Sequence, residues 1–177
     1  ALAAPARIEW HGDGLAVIEA QHEADAYAAL GFVHGQQDAW NIVLWRQAAT
    51  GRLAEWFGDD LLDVDQVAHR LGLAALARES LGLLSDEDRA LLRAYADGVN
   101  TALSARDAAY RSNLVVHDVA LEPWEPWHTL AVERLFAWLS SPPLSPDTVA
   151  VAGPDAVAFF EADRRLRGWL HLHGFEN

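Results

Sequence analysis

The sequence contains no cysteine, no methionine and no lysine among its 177 residues. The absence of cysteine excludes disulfide bonds, thiolate zinc sites and a cysteine nucleophile, and it fits a cytosolic or an exported protein equally well. Because methionine is missing, the chain has no initiator residue, and we expect that Ala1 was created by cleavage of a longer precursor. The small residues Ala1–Ala4 are typical of the neighbourhood of a removed secretory signal.

The sequence is also poor in basic residues: 13 of them, all arginine, stand against 26 acidic residues, and the formal net charge is −13. A negative surface repels nucleic-acid backbones and anionic lipids. No apolar run approaches the roughly 20 residues that are needed to cross a bilayer. We therefore predict that neither nucleic acid nor a membrane is a partner. The arginine-only set fits ion-pair networks or a GC-rich genome, and we favour the genome.

Hydrophobic residues make up 51% of the chain, which is enough for one sizeable core, so the length predicts a single domain over residues 1–177. The first segment, residues 7–20, predicts a β-hairpin. Two short strands, Arg7–Trp10 and Leu15–Ile18, are joined by His11–Gly14, whose glycines permit a tight turn. The predicted fold class is a mainly α chain with a short N-terminal β-hairpin.

Residues 25–104 predict a helical body, because apolar residues recur there at three- and four-residue spacings. Gly31 and Gly35 predict a kink between two helical segments, and Gly51 predicts a helix C-cap. The same spacing predicts a further amphipathic helix over residues 64–78.

The strongest helical signal covers Asp86–Ser104, where Ser85 and Asp88 resemble a capping box. Acidic residues in its first turn complement the positive end of the helix dipole. The spacing of its apolar side chains then predicts one buried stripe, formed by Leu91, Leu92, Tyr95, Val99 and Leu103.

The remainder of the chain predicts a connector followed by two helices. The connector, residues 105–127, is irregular and contains a short predicted strand at Leu114–Val116. Residues 128–177 predict the two helices, with His128 or Thr129 as the cap of the first and a proline-rich break between them. The second is predicted to begin at Pro154 and to end at about Arg167.

The histidines and carboxylates form no recognisable catalytic motif. The eight histidines are scattered and include no helical pair that suits a zinc ion. His171 and His173 would share one face of an extended segment and could chelate a metal there, but near a chain end such a pair is more often a solvated tail. Asp63 and Asp65 stand at a predicted helix start, where carboxylates usually interact favourably with the positive end of the helix dipole and are not general acids or bases. No nucleophile elbow, phosphate loop or dinucleotide fingerprint is present.

Three stretches carry a family resemblance. The first is the end of the hairpin, Asp13–Ala20, which reads Asp-Gly-Leu-Ala-Val-Ile-Glu-Ala. Asp25–Gly58 contains Gly-Phe-Val-His-Gly-Gln followed by Arg-Gln-Ala-Ala-Thr-Gly-Arg-Leu-Ala-Glu-Trp-Phe-Gly. Ala94–Thr101 reads Ala-Tyr-Ala-Asp-Gly-Val-Asn-Thr, and Pro123–Trp127 reads Pro-Trp-Glu-Pro-Trp. In this order, and over residues 7 to about 145, the chain resembles the α subunit of the penicillin acylase family of N-terminal nucleophile hydrolases. It departs from the family pattern at Gln37–Asp38, where Asp-Arg is usual.

The resemblance implies a heterodimer in which this chain wraps around a β subunit of the αββα type, cut from the same precursor by autoproteolysis. The nucleophile is then the serine that begins the β subunit, so no catalytic residue is expected in this chain. The implied reaction is hydrolysis of the amide between an acyl side chain and an amine nucleus. Candidate substrates are β-lactam antibiotics and N-acyl-homoserine lactones, and the implied location is periplasmic or secreted.

The resemblance also places candidate site residues by an ungapped count from Trp124. The family's acyl-pocket wall falls on four residues of this chain: Ala137, Ser140, Ser141 and Leu144. The family's carboxylate ligand for a Ca²⁺ ion shared with the β subunit falls on Asp147, and no organic cofactor is implied. An ordinary helix end and a turn-forming aspartate are the alternative interpretations of these residues.

Two other classes of protein stay open. One is a non-catalytic helical binding module that was cleaved from a larger extracellular protein. The first residue of the downstream chain separates this module from the acylase, since the acylase requires serine, threonine or cysteine there. The other is a metal-binding helical protein that uses the scattered histidines and carboxylates, and elemental analysis of the isolated chain would test it.

Overall fold

A computed structural model of the protein describes residues 4–12, 14–105, 122–143 and 153–174. The described residues are mainly helical, with a single short hairpin near the N-terminus. This confirms the predicted mainly α chain with its β-hairpin. The predicted strand at Leu114–Val116 lies outside the described residues. Within them, every helix is too short or too polar to span a bilayer.

Close contacts divide the chain into two compact units. The first unit comprises Ala1–Val43 and Glu79–Thr129, and the second unit comprises Leu44–Arg78 and Leu130–Asn177. The single domain over residues 1–177 stays a prediction.

The hairpin opens the first unit. Strand β1, Arg7–Trp10, pairs antiparallel with strand β2, Ala16–Glu19, and Ile8 lies opposite Ile18. The second strand begins one residue later than predicted. Trp10 is 50% exposed, so the hairpin leaves a large apolar side chain on the surface.

The two helices that follow correct the predicted kink. Helix α1, Glu23–Gln37, runs unbroken through both glycines that predicted the kink, and helix α2, Ala39–Thr50, begins after Asp38. Asp38 has a non-helical backbone, and its carboxylate accepts hydrogen bonds from the Asn41 backbone N–H (3.2 Å) and side-chain Nδ2 (2.6 Å). The kink prediction at Gly31 and Gly35 was therefore wrong, because a side-chain cap at Asp38 separates the helices.

The glycines instead form a close crossing between α1 and helix α6, Asp86–Leu103. A Cβ atom placed on Gly31 would lie 2.1 Å from the Tyr95 carbonyl oxygen, and one on Gly98 would lie 1.9 Å from the Ala28 carbonyl oxygen. Only residues without a side chain allow the two backbones to approach so closely. Helix α6 also has the predicted cap, since the Ser85 hydroxyl accepts from the Asp88 N–H at 3.0 Å.

The other helices include three short ones and two long ones. They are α3 Ala54–Phe57, α4 Leu62–Leu71, α5 Leu73–Leu83, α7 Pro126–Ser140 and α8 Pro154–Gly174, with a 3₁₀ turn over Asp59–Leu61. In the second unit, the fully buried side chains include Leu44, Leu53, Val64, Val67, Leu135, Leu166 and Leu170.

Three sequence predictions on these helices need correction. The helix predicted over residues 64–78 is two helices, because Gly72 at φ +66° closes α4 in a conformation that favours glycine. Helix α7 begins at Pro126, ahead of the predicted caps His128 and Thr129, because proline suits the first helical position. Helix α8 continues to Gly174, past its predicted end at about Arg167. His171 and His173 therefore lie on a helix, where their side chains point about 160° apart.

Candidate functional site

Three of the predicted pocket-wall residues lie at the C-terminal end of α7, in the second unit. Ala137 and Ser140 are exposed on its last turn, and Ser141 follows directly and is also exposed. The Ser141 hydroxyl donates to the Ala137 carbonyl oxygen at 3.0 Å. The structure therefore brings these three residues together within about one turn. Leu144 lies outside the described residues.

One arginine of α8 binds the carbonyl groups of this helix end. Arg167 donates from Nη1 to the Leu139 oxygen (2.8 Å) and the Ser141 oxygen (3.2 Å), and from Nη2 to the Trp138 oxygen (3.0 Å). The last carbonyls of a helix have no partner within the helix. A cation at this position also complements the negative end of the helix dipole. Arg167 thus caps the turn that carries the predicted wall.

A buried carboxylate orients this arginine. Asp163 is 4% exposed, and its Oδ2 accepts from Arg167 Nε at 2.9 Å. Its Oδ1 accepts from the indole Nε1 of Trp138 at 2.7 Å. The guanidinium carbon also lies 5.7 Å from the centre of a Trp138 ring. Asp163, Arg167 and Trp138 therefore form one network at the end of α7.

Sequence reasoning missed this network. The i,i+4 spacing of Asp163 and Arg167 is visible in the sequence, but such pairs are common on exposed helix faces and contribute little there. Neither burial nor a partner in α7 can be predicted from that spacing. The tryptophan at position 138 gave no separate signal, since it falls inside an apolar helix.

A second carboxylate organises the Gly-Arg-Leu-Ala-Glu segment of the second unit. Asp65 of α4 is buried, and its two carboxylate oxygens accept from the backbone N–H groups of Leu53 (2.8 Å) and Ala54 (2.9 Å). Burial raises the pKa of Asp65, while the two backbone hydrogen bonds and His69 act in the opposite direction. Gly51, at φ +68°, ends α2 as predicted and places its carbonyl oxygen 3.1 Å from His69 Nε2.

The Ala-Tyr-Ala-Asp-Gly-Val-Asn-Thr stretch has structural contacts in the first unit. Asn100 donates from Nδ2 to the Trp124 oxygen (2.9 Å) and accepts from the Trp124 N–H at Oδ1 (2.6 Å). His34 Nδ1 lies 2.9 Å from the Tyr95 hydroxyl oxygen. Burial lowers the pKa of His34 and raises the pKa of Tyr95 to about 12. A protonated phenol therefore meets a predominantly neutral imidazole at neutral pH.

The predicted calcium ligand, Asp147, lies outside the described residues. In the part of the chain that is described, histidine and carboxylate side chains form no cluster of three or more that suits a metal ion. The shared Ca²⁺ ion stays a prediction.

The fold is shared with a solved penicillin acylase. The structure is similar to thermostable penicillin G acylase from Alcaligenes faecalis, with a TM-score of 0.71 over 98% of this chain and 93% of that chain. The sequences are 17% identical, so this likeness shows the fold alone. This likeness agrees with the predicted mainly α chain with a short N-terminal hairpin.

The family model described as penicillin amidase matches residues 5–163. The chain is 42% identical over 133 residues to penicillin acylase 2 proenzyme from Pseudomonas sp. (strain SE83), a match that covers 75% of this chain. It is 28% identical over 151 residues, or 82% of this chain, to acyl-homoserine lactone acylase QuiP from Pseudomonas putida. The chain therefore belongs to the penicillin amidase family. It spans only 17% and 19% of the lengths of these two relatives.

Proposed function

We propose that this chain is the α subunit of a secreted or periplasmic acylase that hydrolyses the amide between an acyl side chain and an amine nucleus. The family match over residues 5–163 is the observation that carries the proposal. The nucleophile is assigned to a β subunit of the same precursor, as a serine at its first position whose own α-amino group acts as the base. An oxyanion hole on that subunit stabilises the tetrahedral intermediate.

Two observations support the proposed subunit arrangement. The chain spans 17% of a relative that is named a proenzyme, which leaves most of that relative's length for another subunit. Large apolar side chains are also exposed on several elements, and an obligate partner would cover such a surface. They include Trp10 at 50%, Leu15 at 57%, Leu62 at 53% and Leu83 at 81% exposure.

The relatives' names support the proposed substrate class. One relative is named a penicillin acylase and another an acyl-homoserine lactone acylase. The amine nucleus is accordingly a β-lactam or a homoserine lactone, joined to an acyl chain in both cases. Measuring hydrolysis of both nuclei with a series of acyl chain lengths would distinguish them.

The decisive experiment uses the complete precursor. The first residue of the processed downstream chain is determined by N-terminal sequencing, and serine is expected. Its replacement by cysteine is expected to preserve a nucleophile, and its replacement by alanine should abolish the acyl-enzyme burst. A downstream chain that begins with any residue other than serine, threonine or cysteine would instead favour the binding module.

The first prediction concerns the pocket wall. Because Ala137 and Ser141 are small and exposed at the end of α7, replacing either with phenylalanine should shorten the space for the acyl group. We expect kcat/KM for the longest accepted acyl chains to fall by about tenfold or more, with short chains little affected. The measurement is kcat/KM over the chain-length series for each variant. An equal loss for short and long chains contradicts the assignment.

The second prediction concerns calcium. A Ca²⁺ ion takes six to eight oxygen ligands, so Asp147 can supply only part of a site that the β subunit and water complete. At a calcium concentration of about 100 times its Kd, binding would stabilise the assembled enzyme by about 2.7 kcal/mol. A chelator should therefore lower the melting midpoint of the wild-type heterodimer and leave the Asp147→Ala heterodimer unchanged. An unchanged midpoint in the wild type removes calcium from the proposal.

A further inference from the structure

We infer that Arg167 is a positioning residue that sets acyl-chain selectivity by fixing the C-terminal turn of α7. The inference rests on the proposed function, because the selectivity concerns the acyl group that the proposed enzyme removes. It adds a residue outside the predicted pocket wall and assigns it a measurable role in substrate choice.

The contacts of Arg167 are concentrated on the turn that carries Ala137, Ser140 and Ser141. Its guanidinium group binds three neighbouring carbonyl oxygens at 2.8, 3.0 and 3.2 Å. These belong to the turn backbone, so the position of that backbone depends on the guanidinium. The planar guanidinium presents five donors in a fixed arrangement, which an ammonium group cannot reproduce.

The ion pair between Arg167 and Asp163 is largely shielded from water. Asp163 is 6% exposed at its side chain and Arg167 is 19% exposed, and their ion pair measures 2.9 Å. The second oxygen of Asp163 accepts from Trp138, which is itself part of α7. Arg167 is therefore oriented by Asp163 of its own helix, and it binds carbonyl groups at the end of α7. A pocket wall shifted by about 1 Å can change rates by up to about a hundredfold, so this restraint has consequences for binding.

Another arginine of α8 supplies a matched control. Arg165 is 48% exposed at its side chain and pairs with the Asp63 carboxylate and the Asp60 carbonyl oxygen. Like Arg167, it lies on α8, carries a positive charge and forms an ion pair with an aspartate. Its partners lie in the 3₁₀ turn and in α4, however, and not in α7. Removing its guanidinium tests the general effect of losing an arginine from α8.

The experiment compares assembled heterodimers that carry Arg167→Met, Arg167→Lys or Arg165→Met. Active-site concentration is measured from the acyl-enzyme burst, and kcat and KM are measured for short and long acyl chains on one nucleus. We expect Arg167→Met to change the long-to-short ratio of kcat/KM by about tenfold, mainly through KM. Arg167→Lys keeps the ion pair with Asp163 but loses carbonyl contacts, so it should shift the ratio in the same direction by a smaller factor. Arg165→Met should keep the wild-type ratio.

The outcomes separate the inference from the proposed function. If wild-type enzyme hydrolyses no acyl amide, the proposed function fails. If wild type is active and both Arg167 variants keep its ratio within about twofold, the inference is overturned. If Arg167→Met does not assemble, Arg167→Lys alone decides, and a wild-type ratio in that variant overturns the inference. If Arg165→Met shifts the long-to-short ratio of kcat/KM equally, the inference is also overturned. The shift would then come from losing any arginine of α8 and not from the contacts of Arg167.

Discussion

Replacing Gly98 with alanine is expected to destabilise the protein by about 3 kcal/mol or more, which is at the upper end of overpacking effects. The added Cβ would lie 1.9 Å from the Ala28 carbonyl oxygen and 2.8 Å from the Phe32 nitrogen. Both are backbone atoms of α1, so no side chain can rotate away, and the two helices would have to separate. Gly31→Ala should behave in the same way, because its Cβ meets the Tyr95 backbone.

The comparison with other glycines makes this prediction specific. Gly168 lies inside α8, and a Cβ placed there meets no atom of the described chain within 4 Å beyond its own neighbourhood. Gly168→Ala should therefore be neutral or stabilise by up to about 1 kcal/mol through helix propensity. Gly35 is intermediate, since its Cβ would meet the Ala102 methyl group at 2.6 Å. Gly35→Ala should be partly rescued by Ala102→Gly, which removes that methyl group.

The measurement is the unfolding midpoint and denaturant curve of the assembled enzyme for each variant, with the yield of processed protein as a second readout. The expected order of stability places Gly168→Ala first, Gly35→Ala next, and Gly31→Ala with Gly98→Ala last. Equal stability of Gly98→Ala and Gly168→Ala would show that the crossing does not depend on the missing side chain.

These glycines also mark a limit of prediction from sequence. The presence of the helices could be predicted, because the spacing of apolar residues identified α1, α2 and α6. The capping motif of Ser85 and Asp88 also predicted the start of α6 correctly. The role of Gly31 was not predictable, because a glycine within a helical pattern is compatible with a kink or with close packing. Only the identity of the neighbouring helix distinguishes the two, and that neighbour lies far along the chain.

The candidate site also has one part that the sequence predicts and one part that it does not. The proline-rich break predicted a helix end near Ser140, and the structure has one there. The pocket wall that the count from Trp124 places on Ala137, Ser140 and Ser141 stays a prediction. The restraint on that end comes from Arg167, which lies 26 to 29 residues further on. Local spacing carries no information about such a long-range contact. A helix end can therefore be predicted from the prolines that follow it, whereas the side chain that caps it is identified only in the packed structure.

The second large effect is expected at Asp65, where replacement by alanine should cost about 3 kcal/mol of stability. The carboxylate accepts from the N–H groups of Leu53 and Ala54 at 2.8 and 2.9 Å. Without the carboxylate, the buried N–H of Leu53 and the partly buried N–H of Ala54 lose their acceptor. The segment between α2 and α3 then loses its hydrogen bonds to α4. Asp63→Ala is the matched control, since Asp63 lies on the same helix and is exposed beside Arg165. That exposed pair should contribute under about 1 kcal/mol.

The pH dependence at Asp65 provides a further test that a general loss of packing would not reproduce. Burial raises its folded-state pKa above the ordinary value of 3.8. A raised pKa means that the folded state binds the proton more tightly than the unfolded state does. The contribution of Asp65 to the free energy of unfolding is therefore largest below the unfolded-state pKa, and it decreases as pH rises through the folded-state pKa. Asp65→Asn cannot titrate, and it keeps one acceptor oxygen. The free energy of unfolding of wild type minus that of Asp65→Asn should therefore be largest at acidic pH and smaller at neutral pH. Denaturant curves of both proteins across this range measure the difference, and a difference that increases with pH would contradict the raised pKa.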